Sequence, residues 1–211
     1  MAASFSKVLF NVPNSMSVFR VLAAPLLAWF WLGMDWRIGG LVLGTVVGLT
    51  DQLDGYVARK LNQTTELGAL IDQLGDLVFE STCLIIGVVS GYLWSGWLII
   101  YLFREFVVNV IRSYVIGHGG ALPSTMLGKV KSSCLQWGFF PLFLGGILLQ
   151  PGRVPDTWRL VGISAGQILV WLVTGWIVAG LVLGIISAVM YFKAFTAFYV
   201  SRMNAQDTSS Q

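Results

Sequence analysis

Charge is what this sequence has least of. Only 11% of its 211 residues are Asp, Glu, Lys or Arg, 56% are hydrophobic, and the mean hydropathy is +0.77. A soluble globular domain carries about a quarter charged residues, so this composition excludes a water-facing surface for most of the chain. Histidine occurs once and cysteine twice, both cysteines in apolar stretches, so no disulfide framework is implied. No basic stripe is interleaved with aromatics, so the net charge of +3 speaks for anionic lipid headgroups and against nucleic acid. There is no internal repeat and no sign of a second domain.

Long apolar runs are abundant instead, at about 16–34, 38–60, 67–93, 95–117, 127–150 and 168–200. A membrane crossing needs roughly 20 such residues. The pattern predicts an all-α polytopic membrane protein with six transmembrane helices and an N-terminal interfacial helix that lays Phe5, Val8, Leu9 and Val12 on the bilayer. One membrane domain then fills 1–203, and 204–211 reads as a disordered tail. The stretch 157–200 reads either as a short interfacial piece before one long helix or as a region hiding an extra crossing. With the N-terminus inside, Lys7, Arg20, Arg59, Lys60, Arg112, Lys129, Lys131, Lys193 and Arg202 lie on the inner side and only Arg37, Arg153 and Arg159 outside. That bias orients the chain with its polar motif toward the cytoplasm, in the inner membrane if the cell is bacterial. Pro25 and Pro141 are expected to bend their helices. Gly40, Gly44 and Gly48 form a small-residue seam for close packing within the bundle or for a homodimer contact.

The few charges are concentrated. Between Asp51 and Asp76 the chain reads DQLDGYVARKLNQTTELGALIDQLGD. Asp51, Asp54, Gly55 and Ala58 are spaced i, i+3, i+4 and i+7, so they share a helix face. Gly68, Asp72 and Asp76 are spaced i, i+4 and i+8 and form a ridge on the next helix, after a polar turn at Asn62–Glu66. A lone Asp-x-x-Asp is ordinarily a solvated face or a cap. Four carboxylates beside hydrocarbon need counter-charge, and divalent cations supply it. The donors are all oxygens, which favours Mg²⁺ or Mn²⁺, and a pair of such ions is the usual clamp for in-line displacement at phosphorus. The glycines leave room for a substrate to approach the backbone.

Asp51-x-x-Asp54-Gly55-x-x-Ala58-Arg59, followed after eight residues by Gly68-x-x-x-Asp72-x-x-x-Asp76, resembles the complete signature of the CDP-alcohol phosphatidyltransferases. The similarity extends from Asn11-Val12-Pro13-Asn14 to the last apolar segment. The resemblance implies that Asp51, Asp54, Asp72 and Asp76 hold two metal ions, with Asp76 also the general base. It further implies that Gly55, Ala58 and Gly68 border the cytidine nucleotide and that Arg59 lies close to it. Arg104-Glu105 with Arg112, and Gly128-Lys129-x-Lys131 with Gln136, look like the phosphatidylglycerophosphate synthase branch, although Gln73 and Leu77 stand where that branch usually has proline and lysine.

Read this way, the protein moves a phosphatidyl group from CDP-diacylglycerol to a small alcohol and releases CMP. Arg20, Arg112, Lys129 and Lys131 suit an anionic acceptor, most simply sn-glycerol 3-phosphate. Inositol, inositol phosphate, phosphatidylglycerol and an amino alcohol stay open as acceptors, and from another class a cation transporter, whose pathway would also carry acids. Arg20 could equally snorkel, as could the two lysines. Glu80 is expected either to pair with Arg104 and lock the bundle or to touch the acceptor, and Gly117–Ser124, with His118 as a plain loop residue, to form a mobile edge of the site.

Overall fold

A computed structural model describes residues 12–61, 66–120, 122, 125–150, 159–160 and 163–209, by backbone alone at 12–14, 52–61, 66, 67, 69, 159, 160 and 205–209. The expected interfacial helix at the N-terminus, the polar turn after Leu61 and most of the outer loop after Gln150 therefore lie outside the described residues. Six α-helices appear among the described residues: α1 Val12–Ala28, α2 Arg37–Leu61, α3 Glu66–Val89, α4 Ser95–Gly117, α5 Met126–Leu148 and α6 Ala165–Ser209. They correspond one to one with the six apolar runs. A single helix fills the last of these runs, with no break for an extra crossing, and the helical backbone continues to Ser209, past the start of the expected tail. Ahead of it stands a feature that the apolar pattern did not announce, a two-stranded antiparallel hairpin pairing Arg159–Leu160 with Ile163–Ser164.

Two stretches, Ser15–Gly33 and Ala165–Asn204, are long and apolar enough by composition alone to cross a membrane. The other helices carry the acids and bases that lower their hydropathy. Large apolar side chains face outward all the same: Leu22, Phe103, Phe106, Trp171 and Leu172 are each more than 60% exposed. An exterior of this kind suits lipid and would be costly in water.

Helix ends follow local chemistry. Downstream of Pro25, α1 widens into one π-helical turn over Trp29–Gly33, closed by Met34 N donating to Trp29 O at 2.9 Å. Both α3 and α4 end in a left-handed glycine, Gly91 and Gly119, each with φ 75°. Tyr92 N donates to Gly87 O at 2.8 Å and Gly120 N to Val115 O at 2.9 Å, the Schellman pattern that satisfies the last carbonyls. The start of the expected mobile loop is thus a closed helix cap. His118 sits there exposed, its Nδ1 2.8 Å from Tyr114 O.

The chain forms two compact units. The first comprises Met1–Trp94 with Gln136–Thr174, the second Ser95–Leu135 with Gly175–Gln211. In the first, α1 packs chiefly on α3 and α2. Ala24, Leu27 and Trp31 line its buried face, and the Trp31 and Phe143 rings lie 4.7 Å apart. The glycine seam of α2 packs here: a Cβ on Gly40 would sit 3.1 Å from the Trp31 ring, and one on Gly44 3.7 Å from Phe143. Gly48 borders open space. In the second unit Tyr101, Val108, Ile111, Val115, Leu135, Ile177 and Leu181 are buried. A Cβ on Gly180 would come within 2.6 Å of Cys134 Cβ, so glycine is what lets α6 press against α5.

Candidate active site

In the first unit four helices converge on one polar cluster. Two turns of α3 bring Asp72 and Asp76 onto one face, as their spacing requires. Asp51 enters from α2, Ser17 and Arg20 from α1, and Gln136 from α5. Each of the three aspartates offers a carboxylate oxygen within 4.8 Å of the others. Arg20 lies among them with a side chain only 3% exposed. Its Nη1 donates to Asp72 Oδ1 at 3.2 Å and to Asp76 Oδ1, and its Nη2 pairs with Asp51 Oδ1. Ser17 Oγ donates to Asp72 Oδ1 at 3.2 Å, and Gln136 Nε2 donates to Asp51 Oδ2.

Arg20 therefore does not snorkel; its guanidinium is held by three carboxylates. Sequence reasoning missed two residues that hold it there. Ser17 sits one helical turn before Arg20 on α1 and is buried. Gly75, between the two acids of α3, lets α1 come close, since a Cβ there would meet Ser17 O at 3.2 Å and Arg20 Cδ at 3.6 Å. The signal for both was available: a small residue inside an acidic ridge, and a hydroxyl three positions before a buried arginine.

Three negative charges face one positive charge, so the cluster keeps an excess of acid. It is also reachable, because the Asp72 and Asp76 side chains are 49% exposed. Unspent carboxylate oxygens, no thiol or imidazole and an accessible rim fit a hard divalent cation. The triad could hold such an ion, and a substrate phosphate could reach it. Asp54, Gly55, Ala58 and Arg59 lie on α2 with their side chains outside the described residues. Gly68 occupies the first turn of α3, four residues before Asp72.

An apolar cavity of about 230 Å³ opens beside the cluster in the same unit. Gly44, Gly48 and Leu49 line one wall, Phe139, Phe140 and Phe143 another, and Gln136, which holds Asp51, lines it as well.

In the second unit Arg104, Lys131, Arg112 and Lys129 fall into two groups. Arg104 pairs with its neighbour Glu105, Nη1 to Oε1 at 2.5 Å, while Glu80 is buried in the first unit. Lys131 Nζ reaches the same Oε1 at 2.9 Å and lies 5.0 Å from the centre of the Tyr101 ring. Neighbours on a helix do not normally face each other. Here Glu105 Oε1 is shared by Arg104 and by Lys131 from α5. Arg112 pairs with no carboxylate among the described residues; its Nη2 donates to Tyr191 OH at 3.1 Å. Lys129 is exposed on the first turn of α5.

Comparison with known proteins points to one family. A family profile described as CDP-alcohol phosphatidyltransferase matches residues 10–186. Among curated relatives, one named CDP-diacylglycerol--glycerol-3-phosphate 3-phosphatidyltransferase from Bacillus subtilis is 33% identical over 59% of this chain and 72% of its own length. A relative of the same name from Cereibacter sphaeroides is 33% identical over 74% of this chain and 76% of its own. Another, from Escherichia coli K12, is 27% identical over 59% and 71%.

Proposed function

Since the chain belongs to the CDP-alcohol phosphatidyltransferase family, we propose that it transfers the phosphatidyl group of CDP-diacylglycerol to sn-glycerol 3-phosphate and releases CMP. The observation that carries this reading is the convergence of Asp51, Asp72 and Asp76 around Arg20, taken with the activity named for the relatives. An ion pathway would spread its acids through the membrane depth; these three gather at one point.

In this reading Asp51, Asp54, Asp72 and Asp76 hold two divalent cations, Mg²⁺ or Mn²⁺. When bound, such ions neutralise the diphosphate of the donor and the charge that develops on its oxygens. Gly55, Ala58 and Gly68 leave space for the cytidine, and Arg59 stands by the nucleotide. The acceptor oxygen bonds to the phosphorus that carries diacylglycerol. The bond to the bridging oxygen breaks, CMP departs with that electron pair, and Asp76 takes the proton of the acceptor hydroxyl. Donor and acceptor are held together, so no covalent enzyme intermediate is required.

The phosphate of the acceptor is bound by Arg112 and Lys129, which have no carboxylate partner among the described residues; Arg20 and Lys131, which share carboxylates, are not assigned to it. The apolar cavity beside Gln136 suits part of an acyl chain of the donor. Six crossings with the acidic cluster on the cytoplasmic side complete the reading, supported by the helix lengths and by the distribution of Lys and Arg.

The test is CMP release from radiolabelled CDP-diacylglycerol by the purified protein with Mg²⁺ or Mn²⁺ and a panel of acceptors. Release with sn-glycerol 3-phosphate, and not with inositol, inositol phosphate, phosphatidylglycerol or amino alcohols, is expected. Release only with another acceptor would overturn the choice of alcohol, and no release with any would overturn the activity.

A further inference from the structure

Helix α6 is apolar along most of its length, yet one face carries Gly180, Gly184, Ser187 and Tyr191 at i, i+4, i+7 and i+11. Each does something specific to α4 or α5. The bare backbone at Gly184 accepts from Arg104 Nε at 3.2 Å, and a Cβ there would sit 3.1 Å from Lys131 Cγ. Ser187 is wholly buried; its Oγ accepts from Arg104 Nη2 at 3.3 Å and shares a 2.5 Å hydrogen bond with Thr125 Oγ1. One turn further on, Tyr191 is 3% exposed. Its phenol oxygen accepts from Arg112 Nη2 at 3.1 Å and from the Thr125 backbone N–H at 3.1 Å.

The two arginines of α4 end differently. Arg104 has each of its three nitrogens committed, to Gly184 O, Glu105 and Ser187. Arg112 gives one donor to Tyr191, while its buried Nε meets no acceptor among the described residues. The Arg112 fork thus keeps donors for an incoming phosphate oxygen. Thr125 is equally telling, because its Oγ1 accepts from Gly128 N–H at 3.1 Å and so caps α5. Lys129 is the next residue. One phenol oxygen therefore fixes both the arginine and the helix turn that presents the lysine.

We infer that Tyr191 is a positioning residue for acceptor binding, holding the Arg112 guanidinium and the first turn of α5 in the one arrangement that receives the phosphate of the acceptor. This rests on the reading of Arg112 as a phosphate ligand given above. Tyr191 acts through Arg112 and Thr125 and touches no reacting atom. Losing an oriented hydrogen bond to a charged group is worth about tenfold in affinity.

The experiment compares Tyr191→Phe, which removes one oxygen and keeps the ring, with Arg112→Ala and the parent enzyme. Acceptor KM, kcat at saturating acceptor, KM for CDP-diacylglycerol and Tm are measured for each. The expected result for Tyr191→Phe is an acceptor KM raised on the order of tenfold, with kcat and the donor KM within about twofold and little change in Tm. Arg112→Ala raising the acceptor KM while Tyr191→Phe does not would overturn the role of Tyr191 and leave Arg112 in place. A Tyr191→Phe enzyme that loses kcat and Tm together, at unchanged acceptor KM, would overturn it as well, by showing a merely structural part. An unchanged KM in Arg112→Ala would remove the premise and the inference together.

Discussion

Two sets of charges are buried among the apolar helices of this protein, and they are built to opposite rules. In the first unit three aspartates share one arginine, and two of them are half exposed. In the second, one glutamate is shared by two cations, and Glu105, Arg104 and Lys131 have side chains only 14%, 11% and 5% exposed. The second set is closed by hydrogen bonds to Ser187 and Gly184. A buried charge is tolerated only when paired, so both sets obey the same cost. They differ in what is left over: accessible oxygen donors in one, fully committed groups in the other. The first is equipped to take up cations and phosphates. The second is equipped to hold helices and to steady the neighbouring Arg112.

The contrast predicts how each set should fail. The largest effect falls on Asp76→Asn, which keeps the shape of the cluster but removes the proton acceptor. Turnover should drop by about 10²–10⁴-fold, while binding of CDP-diacylglycerol, followed by direct titration, is mostly kept; full activity would refute its role as base. Next comes Glu105→Gln, which removes the carboxylate that Arg104 and Lys131 share. It should cost about 3 kcal/mol of stability, seen in thermal unfolding, and added Mn²⁺ should not restore it. Arg20→Ala should cost less, about 2 kcal/mol, because its aspartates are partly exposed, and here added Mn²⁺ should restore most of the loss. Equal rescue of both variants, or of neither, would erase the distinction between the two sets. The smallest effect belongs to Gly48→Leu. A Cβ there meets nothing within 4 Å, so the variant should fold normally. It should raise KM for CDP-diacylglycerol a few-fold by filling the cavity, and leave the acceptor KM alone.

Much of this was legible beforehand. The six helices follow from apolar runs, and the ridge of Asp72 and Asp76 from the helical period, because both are local properties. Arg20, Ser17 and Gly75 show where legibility ends. That Arg20 points at the aspartates and not at an interface depends on α1 lying against α3, a contact of high sequence separation at which Gly75 and Ser17 only hint. Arg104 is a related case: that its sequence neighbour Glu105 also pairs with Lys131 depends on where α5 lies. The hairpin before α6 had no periodic signal at all, being two residues per strand. Tyr191 was invisible because a tyrosine in an apolar helix reads as core until the donors around its oxygen are known.

Mn²⁺ binding, followed by electron paramagnetic resonance on the purified enzyme, tests most directly whether the aspartates of α2 and α3 form a cation centre. Tight binding in the parent protein that is lost in Asp51→Asn and in Asp72→Asn, and kept in Glu105→Gln, is the expected result. Binding that is absent from the parent protein, or unchanged when those aspartates are replaced, would contradict it.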